Sequence, residues 1–201
     1  AKERMENSKP YASVSSEALQ AAVARCADQN VPYVTARPVR RRLYIVIAGE
    51  RGLAGGYNSN VFKLASSRME GQNVCVVPIG KKCLEFFRAR KLEILTDIYA
   101  VASDVHVGDC FSMAKMLSAG FLAGEYDAVC VVYTNFISML SQSPAVLELL
   151  PLADHPRPGD TNSGCLTLYE PDGLSVFDAI IPEYLGGLIY GALCESVTSE
   201  Q

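Results

Sequence analysis

The stretch RRLYIVIAGERGLAGGYNSNVFK, residues 41–63, joins a strand-like run to a helix-like run through a glycine-rich turn. Leu43, Ile45 and Ile47 alternate with their neighbours, which is typical of a β-strand, and the apolar residues after Gly56 recur at helical spacing. A strand, a glycine-rich turn and a helix in this order can also hold phosphate, because the free N–H groups of a helix N-terminus attract anions. The stretch therefore predicts a strand–turn–helix unit and raises the question of a nucleotide site.

The glycine spacing argues against that site. Gly49, Gly52 and Gly55 follow the pattern G-x-x-G-x-x-G, whereas the dinucleotide fingerprint requires G-x-G-x-x-G. The next strand-like run, residues 73–80, ends in glycine and is followed by lysines where the fingerprint needs an acidic residue. A phosphate loop of the form G-x-x-x-x-G-K-[ST] is absent as well. The spacing favours a tight turn, and nucleotide binding remains the alternative.

Strand-like and helix-like runs alternate on both sides of this unit, which predicts βαβ connections and a mainly parallel sheet. We predict a Rossmann-like, three-layer α/β domain. Its strands are expected at residues 40–48, 73–80, 92–99 and 126–136, and its helices at residues 57–70, 81–91 and 107–125. Residues 137–152 are extended in character, but Pro144 makes a central parallel strand unfavourable there.

A helix is predicted at each end of the chain. In residues 1–27, Met5, Ala12, Leu19 and Cys26 recur every seven residues, which indicates a thin coiled-coil seam. From Leu174 onward the spacing is helical again. Its apolar stripe consists of Ile181, Leu185, Leu188, Ile189, Ala192, Leu193 and Ser196.

Composition excludes several classes of function. The 201 residues carry a net charge of −4, which argues against nucleic acid as the main partner. No apolar run is long enough to cross a bilayer, so we predict no membrane insertion, and the first residues contain no signal-peptide core. Seven cysteines without a C-x-x-C pair favour reduced, buried thiols over disulfides or a metal site.

Candidate catalytic residues are few. His106 and His155 lack metal-ligand spacing, and no G-x-S-x-G motif is present. Asp104, His106 and Asp109 cluster before a helix, where a cap is a better interpretation than catalysis. Arg37, Arg40, Arg41 and Arg42 are interpreted as a solvated edge, with a protein contact as the alternative. We therefore expect no catalytic, cofactor or metal site, which favours a binding or mechanical protein.

The identities of the residues between the glycines are more informative about the protein family than the spacing of the glycines. They closely resemble the signature S-D-[RK]-G-L-C-G-G-[FY]-N-x-N of the gamma subunit of F-type ATP synthase. The matching residues are Arg51, Gly52, Leu53, Gly55, Gly56, Tyr57, Asn58 and Asn60. Gly49 and Glu50 replace the usual Ser-Asp, and Ala54 replaces the cysteine. The strings LLPL, LYEPD and DAIIPEYLGGLIYGALCES follow in the family's order, and ERMENSKPYA resembles the exit from its N-terminal helix.

The resemblance implies a central rotor stalk without an active site of its own. It implies three partners: the alpha/beta hexamer, the epsilon subunit and the membrane ring of c subunits. Residues 1–27 would end the N-terminal shaft helix, residues 28–173 would form the globular domain, and residues 174–201 would start the C-terminal shaft helix. Both arms of the antiparallel coiled coil would then be truncated, and a gamma subunit requires further helix beyond Ala1 and Gln201.

The resemblance also implies a location for the chain and a surface that contacts the membrane ring, which we call the foot. The chain would sit peripherally on the cytoplasmic face of a bacterial plasma membrane, or on the matrix or stroma side of an organelle membrane. The expected contact with the ring consists of Leu166, Leu168, Tyr169, Glu170 and Pro171. A nucleotide-binding Rossmann-type enzyme and a free-standing regulatory domain are the alternatives.

Overall fold

In the computed structural model of the chain, residues 31–52, 56–152 and 173–200 are described here. The predicted N-terminal helix and the predicted foot residues lie outside these ranges. The strands are β1 (Arg42–Ile47), β2 (Val74–Ile79), β3 (Glu93–Ile94), β4 (Ala128–Ser138) and β5 (Ser141–Leu150). The helices are α1 (Tyr57–Met69), α2 (Lys81–Ala89), α3 (Val107–Leu122) and α4 (Gly173–Glu200), and a 3₁₀ turn spans Ala102–Asp104.

The five strands form one mixed sheet in the order β3-β2-β1-β4-β5. The pairs β1–β2, β1–β4 and β2–β3 are parallel, and β4–β5 is antiparallel. The predicted α/β class with a mainly parallel sheet is thus confirmed. Pro144 lies in β5, the antiparallel edge strand, as its missing N–H group predicts.

Helices cover both faces of the sheet. On one face, Leu43, Ile45 and Ile47 belong to a cluster that includes the buried side chains of α3 and α4. On the other face, Tyr44 and Val46 belong to a cluster with α1 and α2. Because β1 is buried on both sides, every residue from Leu43 to Ile47 is apolar or aromatic rather than alternating with polar residues.

The third strand is much shorter than predicted. Residues 92–99 were expected to be extended, but only Glu93–Ile94 pair with β2. The Asp97 carboxylate instead forms an ion pair with Arg88 of α2 at 2.7 Å, and Ala100 N–H donates to the Asp97 carbonyl in a turn. The chain thus turns away from β2 shortly after Ile94, at the edge of the sheet.

The C-terminal helix α4 packs closely on α3. A Cβ atom at Gly186 would overlap the ring of Phe111, so the glycine allows the two helices to approach. Ile181, Leu185 and Ile189 are fully buried in the same cluster. None of the described helices combines the length and the apolar character needed to span a membrane.

Candidate functional site

The glycine-rich loop lies at the carboxyl end of β1 and is held by one amide side chain. Gly49 N–H donates to Asn58 Oδ1 at 2.7 Å, and Asn58 Nδ2 donates to the Arg51 carbonyl at 2.9 Å. Gly56 precedes α1 with φ of 79°, a left-handed conformation that glycine adopts without strain. Asn58 thus ties both ends of the described loop to the first turn of α1.

Tyr57 connects this loop region to the C-terminal helix. Its hydroxyl donates to the Ser196 carbonyl of α4 at 2.7 Å. Burial raises the pKa of Tyr57 to about 12, so the phenol stays protonated and remains a donor at neutral pH. The signature residue that follows Gly56 is therefore a link between two elements that are distant in sequence.

A second connection to α4 comes from the extension of β4. Strand β1 pairs with β4 only as far as Val132, whereas β4 continues to Ser138. Two N–H groups beyond that point are satisfied by α4 instead: Thr134 N–H donates to Ser196 Oγ at 3.1 Å, and Phe136 N–H donates to Glu195 Oε2 at 3.2 Å. Helix α4 thus takes over from β1 as the hydrogen-bonding neighbour of β4.

Glu200 makes the third connection. Its Oε1 accepts the N–H groups of Glu50 at 3.1 Å and of Arg51 at 3.4 Å. A Cβ atom at Gly49 would lie 2.5 Å from this oxygen, so a side chain there would displace the carboxylate. Glu50 in turn accepts the Ala102 N–H group, which links the loop to the segment before α3. We call the Tyr57, β4 and Glu200 connections together the α4 joint.

The α4 joint occupies the place where open α/β sheets usually bind ligands. In this sheet β2 and β4 lie on opposite sides of β1, and the crevice at such a reversal is the usual ligand site. Here the backbone and side chains of Ser196 and Glu200 fill it. The groove that remains beside them is lined by Glu50, Arg51, Lys81, Val101, Ser103, Val197 and Glu200. The charges of Glu50 and Glu200 offset those of Arg51 and Lys81, so the groove has no net positive charge to attract a polyphosphate.

The structure brings together several of the signature residues. Arg51, Tyr57 and Asn58 join the loop, α1 and α4, and Gly56 provides the turn. Gly52 and Asn60 are exposed, and Leu53 and Gly55 lie outside the described residues. Sequence reasoning missed Glu195 and Glu200 as site residues. The available signal was the return of acidic and hydroxyl residues in CESVTSE after a long apolar helix.

The arginines before β1 are less solvated than predicted. Arg37 forms an ion pair with Asp127 at 3.0 Å and donates to the carbonyls of Phe121 and Tyr126. Arg41 pairs with Glu93 at 2.6 Å, and Arg42 pairs with Glu148 at 3.3 Å. All three side chains are part-buried, and Arg40 is exposed. The predicted solvated edge is therefore wrong for three of the four residues, because Asp127 before β4, Glu93 of β3 and Glu148 of β5 pair with them.

Two further predictions are confirmed within the described residues. Asp109 caps α3, since its carboxylate accepts the His106 N–H group at 2.8 Å. The cysteines among the described residues are buried free thiols: Cys75, Cys83, Cys110, Cys130 and Cys194. In the described part of the chain, no group of His, Cys, Asp and Glu side chains is arranged to hold a metal ion.

Comparisons with known proteins agree on one family. A family model described as ATP synthase matches residues 1–201. The ATP synthase gamma chain of Ruminococcus albus is 38% identical over 164 residues, a match that covers 79% of this chain and 57% of that protein. The gamma chain of Heliobacterium modesticaldum is 33% identical over 208 residues and is covered to 72% of its length, with all of this chain aligned. The present sequence thus spans just over half of the first relative and about seven tenths of the second.

Solved structures show the same fold. A chain of the Tetrahymena thermophila mitochondrial ATP synthase central stalk and c-ring aligns with a TM-score of 0.59 and 19% identity, covering 96% of this chain and 93% of that chain. A chain of the Euglena gracilis mitochondrial ATP synthase rotor aligns with a TM-score of 0.55 and 18% identity, covering 99% and 84%. Together with the match along the whole sequence, these results assign the family. The chain belongs to the ATP synthase gamma-chain family.

Proposed function

We propose that this chain acts as the central stalk of an F-type ATP synthase and couples ion flow to ATP synthesis mechanically, without an active site of its own. The observation that carries the proposal is the α4 joint. Three separate segments of the domain bond to one helix at the carboxyl edge of the sheet. A subunit that transmits torque needs such a connection between its shaft and its globular part.

We propose that residues 1–27 form the second helix of an antiparallel coiled coil with α4. Tyr33, near the start of the described chain, lies close to Asp178 near the beginning of α4, because burial and the charge of this carboxylate raise the pKa of Tyr33. A chain that enters beside the start of α4 and runs along it must be antiparallel to it. A helix of residues 1–27 would be about 40 Å long, close to the length of α4. Between Tyr184 and Cys194, helix α4 has no charged side chain on any side, which favours cover on the side away from the sheet.

From the direction of α4 we propose opposite roles for the two edges of the sheet. Helix α4 passes the carboxyl edge at Glu200, so this edge would face the alpha/beta hexamer. Leu152 N–H donates to the Tyr33 carbonyl at the amino edge, and residues 153–172 follow it. We therefore propose that the foot, with residues 166–171, meets the c-ring at the amino edge of a Rossmann-like domain. The epsilon subunit would bind the same globular domain, and the complex would lie on the cytoplasmic face of a bacterial membrane.

Affinity purification from native membranes tests this proposal. A tagged copy of the chain, expressed in its own host, should co-purify with alpha, beta, epsilon and c subunits and with ATPase activity. An unrelated tagged protein of similar size serves as the control. Recovery of the chain without alpha and beta subunits, or with an unrelated enzyme, would refute the rotor assignment and favour a free-standing domain.

A further inference from the structure

Most of the described contacts that hold α4 against the sheet are apolar. Phe177, Ile181, Leu185, Ile189 and Leu193 are buried among apolar side chains of the core. The hydrophobic effect is non-directional, so apart from the close contact of Gly186 with Phe111 these contacts define the position of the helix on the sheet more than its rotation. Hydrogen bonds have preferred angles and lengths, and they therefore define an orientation.

The α4 joint concentrates such directional bonds in the last turns of the helix. Glu195 bonds to the β4 extension, Ser196 bonds to both the β4 extension and Tyr57, and Glu200 bonds to the loop. Five residues of an α-helix advance the side-chain direction so that Glu195 and Glu200 lie about 140° apart around the axis. The helix is thus held from two sides by two different segments of the domain.

The loop side of this arrangement is stiff. Asn58 fixes the backbone on both sides of Glu50, so the two N–H groups that Glu200 binds have a defined position. Glu50 is anchored in turn to Ala102. Gly49 leaves the space that the Glu200 carboxylate occupies. A charged acceptor that binds two N–H groups of a braced loop is a stronger constraint than a neutral one.

From this geometry we infer that Glu200 is a positioning residue that sets the rotational orientation of α4 relative to the globular domain. This inference rests on the proposed rotor function. Loss of the Glu200 carboxylate would leave the fold intact but would increase the rotational freedom of α4 relative to the globular domain. The hydrogen bonds of Ser196, one of them with Tyr57, also limit this rotation from the neighbouring turn of α4.

Single-molecule measurement of torsional stiffness tests the inference in the complete complex. The hexamer is immobilised and a probe is attached through Leu140→Cys at the β4–β5 turn, where the side chain is 99% exposed. With Glu200→Ala the angular variance of the stalled probe should rise roughly twofold, because two hydrogen bonds to the loop are lost. Glu200→Gln keeps an acceptor and should restore most of the stiffness. Glu183→Ala, at an exposed position on the same helix, is the matched control and should behave like the unmodified chain.

The outcomes separate the two proposals. If the unmodified complex rotates on ATP but Glu200→Ala and Glu183→Ala have equal angular variance, the role of Glu200 is refuted while the rotor function stands. If the unmodified complex does not rotate, the rotor function fails and the inference fails with it. Should Glu200→Ala prevent assembly, Glu200→Asp gives the answer: its shorter carboxylate cannot reach both N–H groups, so unchanged variance in that variant would refute the inference.

Discussion

At the residue scale, Asp127 shows how one carboxylate organises the amino edge of the sheet. It accepts the backbone N–H groups of Arg40 and Arg41 at 2.8 and 3.1 Å and pairs with the Arg37 guanidinium. Burial alone would raise the pKa of Asp127, but the two N–H groups and Arg37 outweigh it and lower this pKa below its usual range. The segment before β1 is thereby fixed to the start of β4.

We expect Asp127→Asn to lower the free energy of unfolding by about 1 to 2 kcal/mol at pH 7, because charge-assisted hydrogen bonds to three residues are weakened. The stability that the carboxylate contributes is present above its unfolded pKa of about 4 and is lost as the pH falls through the lower folded value. The difference between variant and unmodified chain in urea unfolding should therefore shrink below about pH 4.

The control for this experiment is Asp97→Asn. Asp97 pairs with Arg88, but both side chains are more than half exposed, at 52% and 59%. Exposed ion pairs contribute about 0 to 1 kcal/mol, so this variant should unfold close to the unmodified chain. Equal destabilisation by both substitutions, or an Asp127→Asn effect that grows at low pH, would contradict the assignment.

At the element scale, the glycines of α4 have different roles. Each glycine inside a helix costs about 1 kcal/mol relative to alanine. Gly186 has a structural reason, because a Cβ atom there would overlap Phe111 of α3. Gly191 has no atom of the described residues within 4 Å of such a Cβ atom. The close packing of α3 on α4 therefore needs one glycine and not the other.

We expect Gly186→Ala to lower the free energy of unfolding by about 1 to 3 kcal/mol, as overpacking of a close helix contact does. Gly191→Ala should instead raise it by about 0.5 to 1 kcal/mol through better helix propensity. Chemical denaturation of the two variants, monitored by circular dichroism, provides the comparison. The same sign of change in both variants would show that packing on α3 does not distinguish the two positions.

At the scale of the whole molecule, α4 converts a typical ligand-binding crevice into a mechanical connection. The crevice between β1 and β4 is filled by Ser196 and Glu200, and the remaining groove has no net positive charge, since its two carboxylates offset Arg51 and Lys81. Isothermal titration of the chain with ATP and with NAD should therefore give no binding heat. A known nucleotide-binding protein under the same conditions is the positive control, and micromolar binding by this chain would contradict the filled crevice.

Much of this architecture was predictable because local patterns carry it. Alternating apolar runs and helical spacing predicted the parallel strands around β1, and Pro144 argued against a central parallel strand at the position of β5. Asp109, in the first turn of α3, predicted a cap. The two-residue length of β3 was not predictable, because the turn at Asp97 that follows its pairing with β2 leaves no signal in the local apolar pattern.

The glycine-rich stretch by itself determined two things: a strand–turn–helix unit, and membership in a family whose signature surrounds the glycines. Tyr57 and Asn58 were visible in that signature, but their partners were not. Only the tertiary structure decided that the loop binds α4, because Ser196 and Glu200 lie roughly 140 residues away and reach the loop through the packing of α4 on the sheet. Hydrogen bonds between distant segments leave no local periodicity, so the α4 joint exists only in the folded chain.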